Sequence, residues 1–180
     1  MPLEVAFTDL PDVLLLRPRR FTDDRGQFEE TWNAEDFRLA VGRPVTFVQD
    51  NASVSAAGVL RGLHFQHPPF AQAKLVRCAL GAIFDVAVDL RPTSPTYGRS
   101  FGTELTADSG WQLWIPEGFA HGFLALTPGT HVHYKCTAPY SPAHEGSLRW
   151  DDPHIAIPWP LTAPPLLSPK DAAAPGWGGG

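Results

Sequence analysis

Residues 58–66, GVLRGLHFQ, and residues 115–122, IPEGFAHG, decide the fold of this chain. Each stretch places one histidine, His64 or His121, among glycines and apolar residues. Short apolar runs punctuated by glycine are typical of β-strands that end at tight turns. We therefore expect both histidines at strand edges.

The composition around these stretches is that of one β-rich domain. A chain of 180 residues with 43% hydrophobic and 18% charged residues can bury one core but is too short for two full ones. Its 16 glycines and 19 prolines leave little room for long helices. We expect residues 1–180 to form a single domain, with a flexible glycine-rich tail from about residue 172.

Short apolar or alternating runs predict β-strands along most of the chain. Residues 34–41, AEDFRLAV, instead read as a helix, with acidic residues in the first turn and Gly42 at the end. The strands are predicted at residues 13–16, 26–31, 46–51, 59–66, 73–80, 83–89, 98–105, 111–115, 122–126 and 131–137. So many short strands joined by turns favour an all-β sandwich or jelly roll with a few short helices.

Strand parity identifies two candidate walls of an interior, because alternate residues of a strand face opposite sides. Each wall combines two residues of low polarity with one longer polar side chain. The two sets are Lys74, Val76 and Cys78, and Val132, Tyr134 and Cys136. We expect the polar members, Lys74 and Tyr134, to reach a cavity.

Net charge and hydropathy argue against nucleic acid and membrane partners, and the cysteines indicate the compartment. The net charge of −5 gives no bulk attraction to nucleic acid. Residues 13–16, VLLL, are too short for a signal or membrane segment, so a membrane partner is not expected. Cys78 and Cys136 stand apart in apolar runs, which indicates buried free thiols in a reducing compartment. A cytoplasmic protein is the expectation.

Polar side chains gather around His64. Arg61 lies three residues before it, Gln66 shares its strand parity, and Lys74 follows in the next predicted strand. A lone histidine among apolar residues is more often structural, but several groups able to bind an anion or a carbonyl favour a site. In this acidic chain a local cationic patch could bind phosphate. Its candidate members are Arg25, Arg61, Lys74 and Lys170.

Three further side chains could take part, although each alone is more often structural. Tyr134 could be a general acid, and Tyr140, in a predicted loop, could stack on a base. Asp171 lies in an otherwise apolar tail, where it could cap a helix or return to orient a histidine.

The two opening stretches resemble the two half-motifs of the cupin superfamily of small β-barrels. In metal-binding cupins the first motif has a His-x-His pair and a later Glu. Here Gln66 occupies the second position, and no carboxylate follows it before Asp85. His131 and His133 could hold a metal on one strand face, but that face is opposite to Tyr134. We expect no metal; a metal-dependent cupin, such as a dioxygenase or metal-using isomerase, remains an alternative.

Longer motifs run in order along nearly the whole chain. They are FTDDRGQFEETW, VTFVQDNASVS, GVLRGLHFQ, QAKLVRCALGAIFDVAVDLR, SPTYG, LWIPEGFAHGFLAL, YKCTAPYSPAHEGSLRWDDP, IAIPWP and LSPKDAAAP. In this combination the chain resembles the dTDP-4-dehydrorhamnose 3,5-epimerase family of the dTDP-L-rhamnose pathway. The resemblance implies a cupin-like jelly roll that forms a homodimer and uses no cofactor. It also implies a thymidine-diphosphate 4-keto-6-deoxyhexose as the substrate.

The resemblance further implies a role for each site residue. His64 would be the base, Asp171 the carboxylate that orients it, Tyr134 the acid on the opposite face, and Lys74 the group that stabilises an enolate. Tyr140 would stack on the thymine ring, although Pro139 stands where an aromatic residue is common in the family. The other implied substrate contacts are Arg25, Glu30, Gln49, Asp50, Asn51, Arg61, Lys74, His121, Glu145 and Lys170.

Two further alternatives keep the same motifs. A relative that epimerises C3 or C5 alone, as in antibiotic-sugar branches, would share the base and most binding residues. A non-catalytic sugar-binding module would share the cavity without the reaction. The presence of both His64 and Tyr134 favours double epimerisation over the first alternative. Co-occurrence of the base, carboxylate, phenol and lysine favours an enzyme over the second.

Overall fold

Two antiparallel sheets form the frame of the molecule, of which the computed structural model describes residues 2–178. The six-stranded sheet has the order β1 (Glu4–Phe7), β2 (Leu14–Arg17), β10 (Gln112–Ile115), β7 (Lys74–Leu80), β12 (Thr130–Cys136) and β5 (Gln49–Ser55). The five-stranded sheet has the order β13 (Glu145–Ser147), β6 (Leu60–Gln66), β11 (Phe119–Ala125), β8 (Ala82–Asp89) and β9 (Ser100–Thr106). A separate hairpin joins β3 (Arg20–Asp23) to β4 (Gly26–Glu29). The prediction of an all-β sandwich is confirmed.

Apolar side chains from both sheets meet between the layers. Val76 and Leu113 of the six-stranded sheet pack in one cluster with Ile83 and Phe123 of the five-stranded sheet. Fully burying one such side chain typically contributes about 1.5–3 kcal/mol. Both predicted walls face this interior, since Val76 and Val132 are completely buried.

Helix α1 (Ala34–Val41) covers the outer face of the six-stranded sheet. The Asn33 side chain accepts the backbone N–H groups of Glu35 and Asp36, and Gly42 ends the helix with a φ of 76°. Glycine adopts this left-handed conformation without the steric cost of a Cβ. Phe37 then packs edge-on against Trp114, with the ring centroids 5.1 Å apart. The predicted helix is confirmed at both ends.

The C-terminal segment covers the outer face of the five-stranded sheet. It includes a short helix, α2 (Pro169–Ala172), capped by Ser168, whose hydroxyl accepts the backbone N–H of Asp171 at 3.1 Å. Beyond it, Trp177 packs with Tyr97, their centroids 4.9 Å apart. The sequence predicted a flexible tail from about residue 172, but the structure gives Trp177 defined contacts, while residues 179 and 180 lie outside the described part.

Two smaller expectations concern thiols and membranes. Cys78 and Cys136 are both buried and free, as predicted. Within residues 2–178, no helix has the length and apolar character needed to cross a membrane.

Candidate active site

His64 and Asp171 are in direct polar contact. Nε2 of His64, on β6, lies 2.5 Å from Oδ1 of Asp171, on α2, although 107 residues separate them along the chain. The Asp171 side chain is 5% exposed and that of His64 is 32% exposed. In the neutral ring, an Nε2–H that donates to this carboxylate leaves Nδ1 free to accept a proton.

Burial lowers the pKa of His64 below its ordinary value. The negative charge and hydrogen bond of Asp171 oppose this effect, whereas the positive charges of Lys74 and Lys170 add to it. A lowered pKa keeps the imidazole neutral, and therefore able to accept a proton, over a wider pH range. The environment of His64 is thus suited to a general base.

A cavity of about 110 Å³ opens beside this pair. Most of its lining residues carry hydrogen-bonding or ionisable groups. They are Gln49, His64, Phe65, Gln66, Gln72, Lys74, Tyr134, Cys136, Tyr140 and Glu145. The structure therefore brings together His64, Asp171, Lys74 and Tyr134, the four residues for which the sequence predicted catalytic roles.

Lys74 stands at the start of β7 with its side chain almost entirely buried. Its Nζ donates to the backbone carbonyl of His64 at 3.4 Å. Burial lowers the pKa of Lys74, while the nearby Cys136, Asp85 and Glu145 oppose that shift. A cation held in a poorly solvated cavity interacts strongly with negative charge that develops on a bound ligand.

Tyr134 lies on β12, opposite Val76 on β7 and Asn51 on β5. Burial raises the pKa of its phenol above the ordinary value. Its ring centroid is 6.5 Å from that of His121. Tyr134 therefore stays protonated near neutral pH and can donate a proton inside the cavity.

The two histidines of the opening motifs are cross-strand partners, because His121 on β11 pairs with His64 on β6. Nε2 of His121 lies 2.7 Å from Oδ1 of Asp85 on β8, and both side chains are buried. The second oxygen of Asp85 has no hydrogen-bond partner among the described residues. A buried carboxylate is costly unless it is paired, so Asp85 is a polar centre of the interior.

Sequence reasoning missed this role of Asp85. It noted the residue merely as the first carboxylate after Gln66. A signal was available, since Asp85 interrupts the apolar run of β8, IFDVAVD, where a charge requires a buried partner.

Gln66, which replaces the second cupin histidine, holds the loop at the cavity mouth. Its side-chain amide donates to the carbonyl of Phe70 at 2.6 Å and to that of Pro139 at 3.2 Å. Its amide oxygen accepts the backbone N–H of Ser141 at 2.7 Å. The residues on either side of Tyr140 are thereby fixed to β6.

Tyr140 itself stands at the mouth and is 54% exposed. Its hydroxyl donates to Glu145 at 2.8 Å, and Glu145 also forms an ion pair with Lys170. Gln49 accepts the backbone N–H of Tyr140 at 2.7 Å. These predicted binding residues therefore form one hydrogen-bonded rim.

Asn51, Arg61 and Asp50 differ in position. Asn51 donates to the Cys136 sulfur at 3.6 Å and so faces the interior. Arg61 donates to the hydroxyl of Ser55 at 3.1 Å near the end of β5. Asp50, in contrast, pairs with Lys135 at 2.7 Å on the exposed face of β12, so the structure does not bring it into the cavity.

Arg25 and Glu30 also lie away from the cavity of their own chain. Arg25 occupies the turn of the β3–β4 hairpin, where its side chain is 90% exposed and pairs with Asp23 at 2.5 Å. Glu30 follows the hairpin and lines a shallow depression beside α1 with Arg19 and Asn33.

The metal-binding alternative lacks a set of ligands. Among residues 2–178, no three His, Cys, Asp or Glu side chains converge as a metal site would require. His133 instead accepts a hydrogen bond from Arg77 at 3.3 Å.

Comparison with known proteins gives a consistent result. A sequence model of the family described as dTDP-4-dehydrorhamnose 3,5-epimerase matches residues 7–178. The protein of that name from Salmonella typhimurium is 56% identical over 171 residues, which is 95% of this chain and 93% of that protein.

Solved structures agree at the level of the fold. The dTDP-6-deoxy-D-glucose-3,5-epimerase of Legionella pneumophila, in complex with dTDP-4-keto-L-rhamnose, superposes with a TM-score of 0.93 at 44% identity, covering 96% of this chain and 91% of that one. A 3'-monoepimerase from Streptomyces bikiniensis, in complex with dTDP-quinovose, gives a TM-score of 0.89 at 36% identity, covering 94% and 86% respectively.

Proposed function

The chain belongs to the dTDP-4-dehydrorhamnose 3,5-epimerase family, and we propose that its reaction proceeds by proton transfer between His64 and Tyr134. The protein is an isomerase of nucleotide sugars, and it converts dTDP-4-keto-6-deoxy-D-glucose to dTDP-4-keto-L-rhamnose. The observation that carries the mechanism is the 2.5 Å contact of His64 with Asp171 beside a cavity that Lys74 and Tyr134 also line.

The C3 and C5 hydrogens of the substrate are acidic because each lies alpha to the C4 ketone. His64 removes one of these protons, and the C–H electron pair becomes the enolate, with its charge on the C4 oxygen. Tyr134 then donates its phenolic proton to the same carbon from the opposite face, and the ketone re-forms. A solvent-mediated transfer returns the proton from His64 to Tyr134 before the second carbon reacts.

Lys74 stabilises the enolate oxygen in this scheme. Its buried ammonium is already in place before the charge develops, so little reorganisation is needed. One such preorganised contact typically lowers a barrier by about 3–4 kcal/mol. A positioned acid or base typically adds about 10²–10⁴-fold in rate.

The rim binds the nucleotide half of the substrate. Tyr140 presents an exposed ring on which the thymine can stack, and Lys170 supplies positive charge for the diphosphate. The interior residues His121 and Asn51 are donors for the sugar, and Arg61 a donor for the diphosphate. Because Glu145 now pairs with both Tyr140 and Lys170, binding exchanges those contacts for contacts with the ligand.

The active form is a homodimer whose β3–β4 hairpin reaches the cavity of the partner. Within the described residues this hairpin pairs with no other strand, and Phe28 on it is 68% exposed. Phe21 and Phe28 are cross-strand neighbours and both are exposed, and exposed aromatic side chains grouped in this way favour a surface that another chain covers. Docking there would bring Arg25 and Glu30 to the substrate, as the resemblance implies. A reducing, cytoplasmic setting is supported by the two buried free thiols.

The reaction is tested by incubating the protein with dTDP-4-keto-6-deoxy-D-glucose in D₂O and following the sugar by NMR. Deuterium should enter at both C3 and C5, with inversion at each carbon. Exchange confined to one carbon would identify a single-carbon epimerase. Absence of exchange at both would leave a sugar-binding module, and stoichiometric metal in protein purified without chelator would favour a metal-dependent cupin.

A further inference from the structure

We propose that Trp177 and Asp152 are positioning residues that hold α2, and with it Asp171, against His64. The inference rests on the proposed function, because it concerns how the catalytic pair is kept in contact. It assigns a role to the C-terminal segment that follows α2.

Helix α2 cannot fix Asp171 by itself. It has four residues, and helices that short are not stable without tertiary contacts. Upstream, Leu166 is tied to the start of β6, since its backbone N–H donates to Gly58 at 2.8 Å and its carbonyl accepts from Leu60 at 3.0 Å. Lys170 also ties α2 to Glu145, but in the proposed function binding of the nucleotide exchanges that contact, so the upstream anchor alone would leave the helix free to pivot.

The second anchor lies at residues 175–177. The carbonyl of Pro175 accepts the backbone N–H of Arg149 at 2.8 Å. The backbone N–H of Trp177 donates to Oδ2 of Asp152 at 2.6 Å. The indole ring packs with Tyr97, with the centroids 4.9 Å apart. Three separate contacts therefore hold the chain four to six residues beyond Asp171.

The side chain of Asp152 is itself held in place by hydrogen bonds. It is 3% exposed, and Oδ1 accepts the backbone N–H groups of His154 at 2.9 Å and Ile155 at 3.3 Å. Although burial raises the pKa of Asp152, the backbone donors Trp177, His154 and Ile155 hold it below its ordinary value. The carboxylate therefore stays ionised and keeps accepting from Trp177.

The loop that contains Tyr97, against which the indole packs, is also held by hydrogen bonds. Tyr97 belongs to a loop that the buried Asp89 organises, because Oδ2 of Asp89 accepts the hydroxyls of Ser94 and Thr96, each at 2.6 Å. The backbone N–H of Gly98 also donates to the Asp89 carbonyl at 2.9 Å. Trp177 thus connects α2 to a hydrogen-bonded loop between β8 and β9 of the five-stranded sheet.

Loosening this anchor has a specific chemical consequence. Asp171 raises the pKa of His64 against the effect of burial, and it also selects the ring tautomer. A displaced Asp171 leaves a histidine with a lower pKa and no fixed orientation. Because a base is active when neutral, the acid limb of the pH–rate profile would move to lower pH while the maximal rate fell.

The test compares Trp177→Ala with Trp177→Phe, Asp171→Asn and the double variant Trp177→Ala/Asp171→Asn. Trp177→Ala should lower kcat roughly ten-fold or more, as loss of a histidine's carboxylate partner does, and shift the acid limb to lower pH. Trp177→Phe keeps an aromatic ring on Tyr97, so its kcat and the position of its acid limb should both be close to those of the wild type. In the Asp171→Asn background Trp177→Ala should change neither quantity further, because its effect passes through Asp171.

Two controls separate positioning from general destabilisation. Trp159→Ala removes another half-buried tryptophan of the same face, which packs with Phe84 at 5.9 Å, and should leave the pH profile unchanged. If Trp177→Ala fails to fold, Asp152→Asn replaces Oδ2 by a group that cannot accept from Trp177 and should give the same profile shift.

The outcomes distinguish this inference from the function beneath it. No deuterium exchange by the wild type would sink the proposed function, and an unaltered Asp171→Asn would sink the catalytic pair. With both of those intact, the inference is overturned if the loss caused by Trp177→Ala is equally large in the Asp171→Asn background. It is also overturned if kcat falls with no shift of the acid limb.

Discussion

At the scale of single residues, burial prepares several groups for one reaction. It lowers the pKa values of His64 and Lys74 and raises that of Tyr134. His64, the proposed base, is therefore neutral and Tyr134, the proposed acid, is protonated at the same pH, which a proton transfer between two faces of a sugar requires. Asp171 limits the shift of His64, so that the imidazole remains basic enough to act.

Direct titration of His64 tests this balance. We expect imidazole NMR of the ligand-free protein to give a pKa below the ordinary histidine value, because burial outweighs Asp171. In Asp171→Asn the pKa should fall further, because the negative charge that favours the imidazolium is gone. A wild-type value above the ordinary one, or a rise in the variant, would contradict this description of the site.

Gln66→Ala tests how the cavity mouth is held. The change removes two hydrogen bonds that Gln66 donates and one that it accepts, and leaves three backbone groups of the cavity mouth without these partners. We expect a stability loss of about 1–3 kcal/mol in denaturant unfolding. Binding of dTDP should also weaken, because the loop of Tyr140 loses its attachment.

Gln112→Ala is the matched control for that experiment. Gln112 is also buried and donates to the carbonyl of Thr31 at 2.8 Å, away from the cavity. Gln112→Ala should lower the free energy of unfolding, but its affinity for dTDP should equal that of the wild type. Equal weakening of dTDP binding by both variants would mean that Gln66 has no particular role at the mouth.

Much of the site was predictable, in two different ways. Strand parity placed Lys74 and Tyr134 on inner walls, whereas the contact of Asp171 with His64 followed from the family resemblance. The pairing of His121 with Asp85 was not predicted, because it depends on the register between β11 and β8, which local patterns do not specify. The resemblance implied Asp50 as a substrate contact, but Asp50 is the cross-strand partner of Lys135 and pairs with it on the outward face.

At the scale of elements, some helices and strands were predictable from local sequence, whereas others form only through tertiary contacts. Helix α1 was predictable from its acidic first turn and its terminal Gly42, and most long strands from their apolar runs. The elements that were missed are three or four residues long, namely β1, β3, β13, α2 and a 3-10 turn at Pro142–His144. Such segments have little periodicity of their own, and partners distant in sequence determine them.

Strand β5 shows the same limit at a boundary. It was predicted at residues 46–51 but runs from Gln49 to Ser55. Its polar sequence, QDNASVS, has a weak strand signal, and its position is fixed by pairing along the whole of β12. Register therefore had to come from the folded sheet.

Removing the cap of α1 should mainly lower stability, whereas removing the cap of α2 should mainly lower kcat. Asn33→Ala removes the cap of α1, which lies on the outer face, and should cost about 0.5–2 kcal/mol of stability with unchanged kcat. Ser168→Ala removes the cap of α2, the helix that contains Asp171, and should therefore lower kcat. The loss of stability should be smaller, because α2 has only four residues. Denaturant unfolding and steady-state kinetics on both variants make the comparison; a kcat loss confined to Asn33→Ala would refute it.

At the scale of the whole molecule, one protomer contains the proposed base and acid but does not bring every predicted substrate contact to the cavity. The two sheets bring His64, Lys74 and Tyr134 into one interior, while the hairpin places Arg25 in solvent. The proposed dimer accounts for both facts, because a second copy supplies the hairpin.

Complementation between two inactive variants tests the shared site. We expect Arg25→Ala and His64→Ala to be nearly inactive alone. Co-expressed in equal amounts, they should recover about a quarter of wild-type activity, since half of the dimers are mixed and each mixed dimer has one intact site. Recovery near zero, with mixed dimers isolated through two different affinity tags, would show that Arg25 acts on the cavity of its own chain.

Separating proton removal from inversion tests the central claim most directly. The measurement is deuterium incorporation at C3 and C5 in D₂O, with the product configuration, for His64→Asn and Tyr134→Phe. We predict that His64→Asn incorporates no deuterium, whereas Tyr134→Phe still exchanges but inverts poorly, because the base is present and the opposing acid is absent. Exchange that persists in His64→Asn, or inversion that is normal in Tyr134→Phe, would contradict the assignment of His64 as base and Tyr134 as acid.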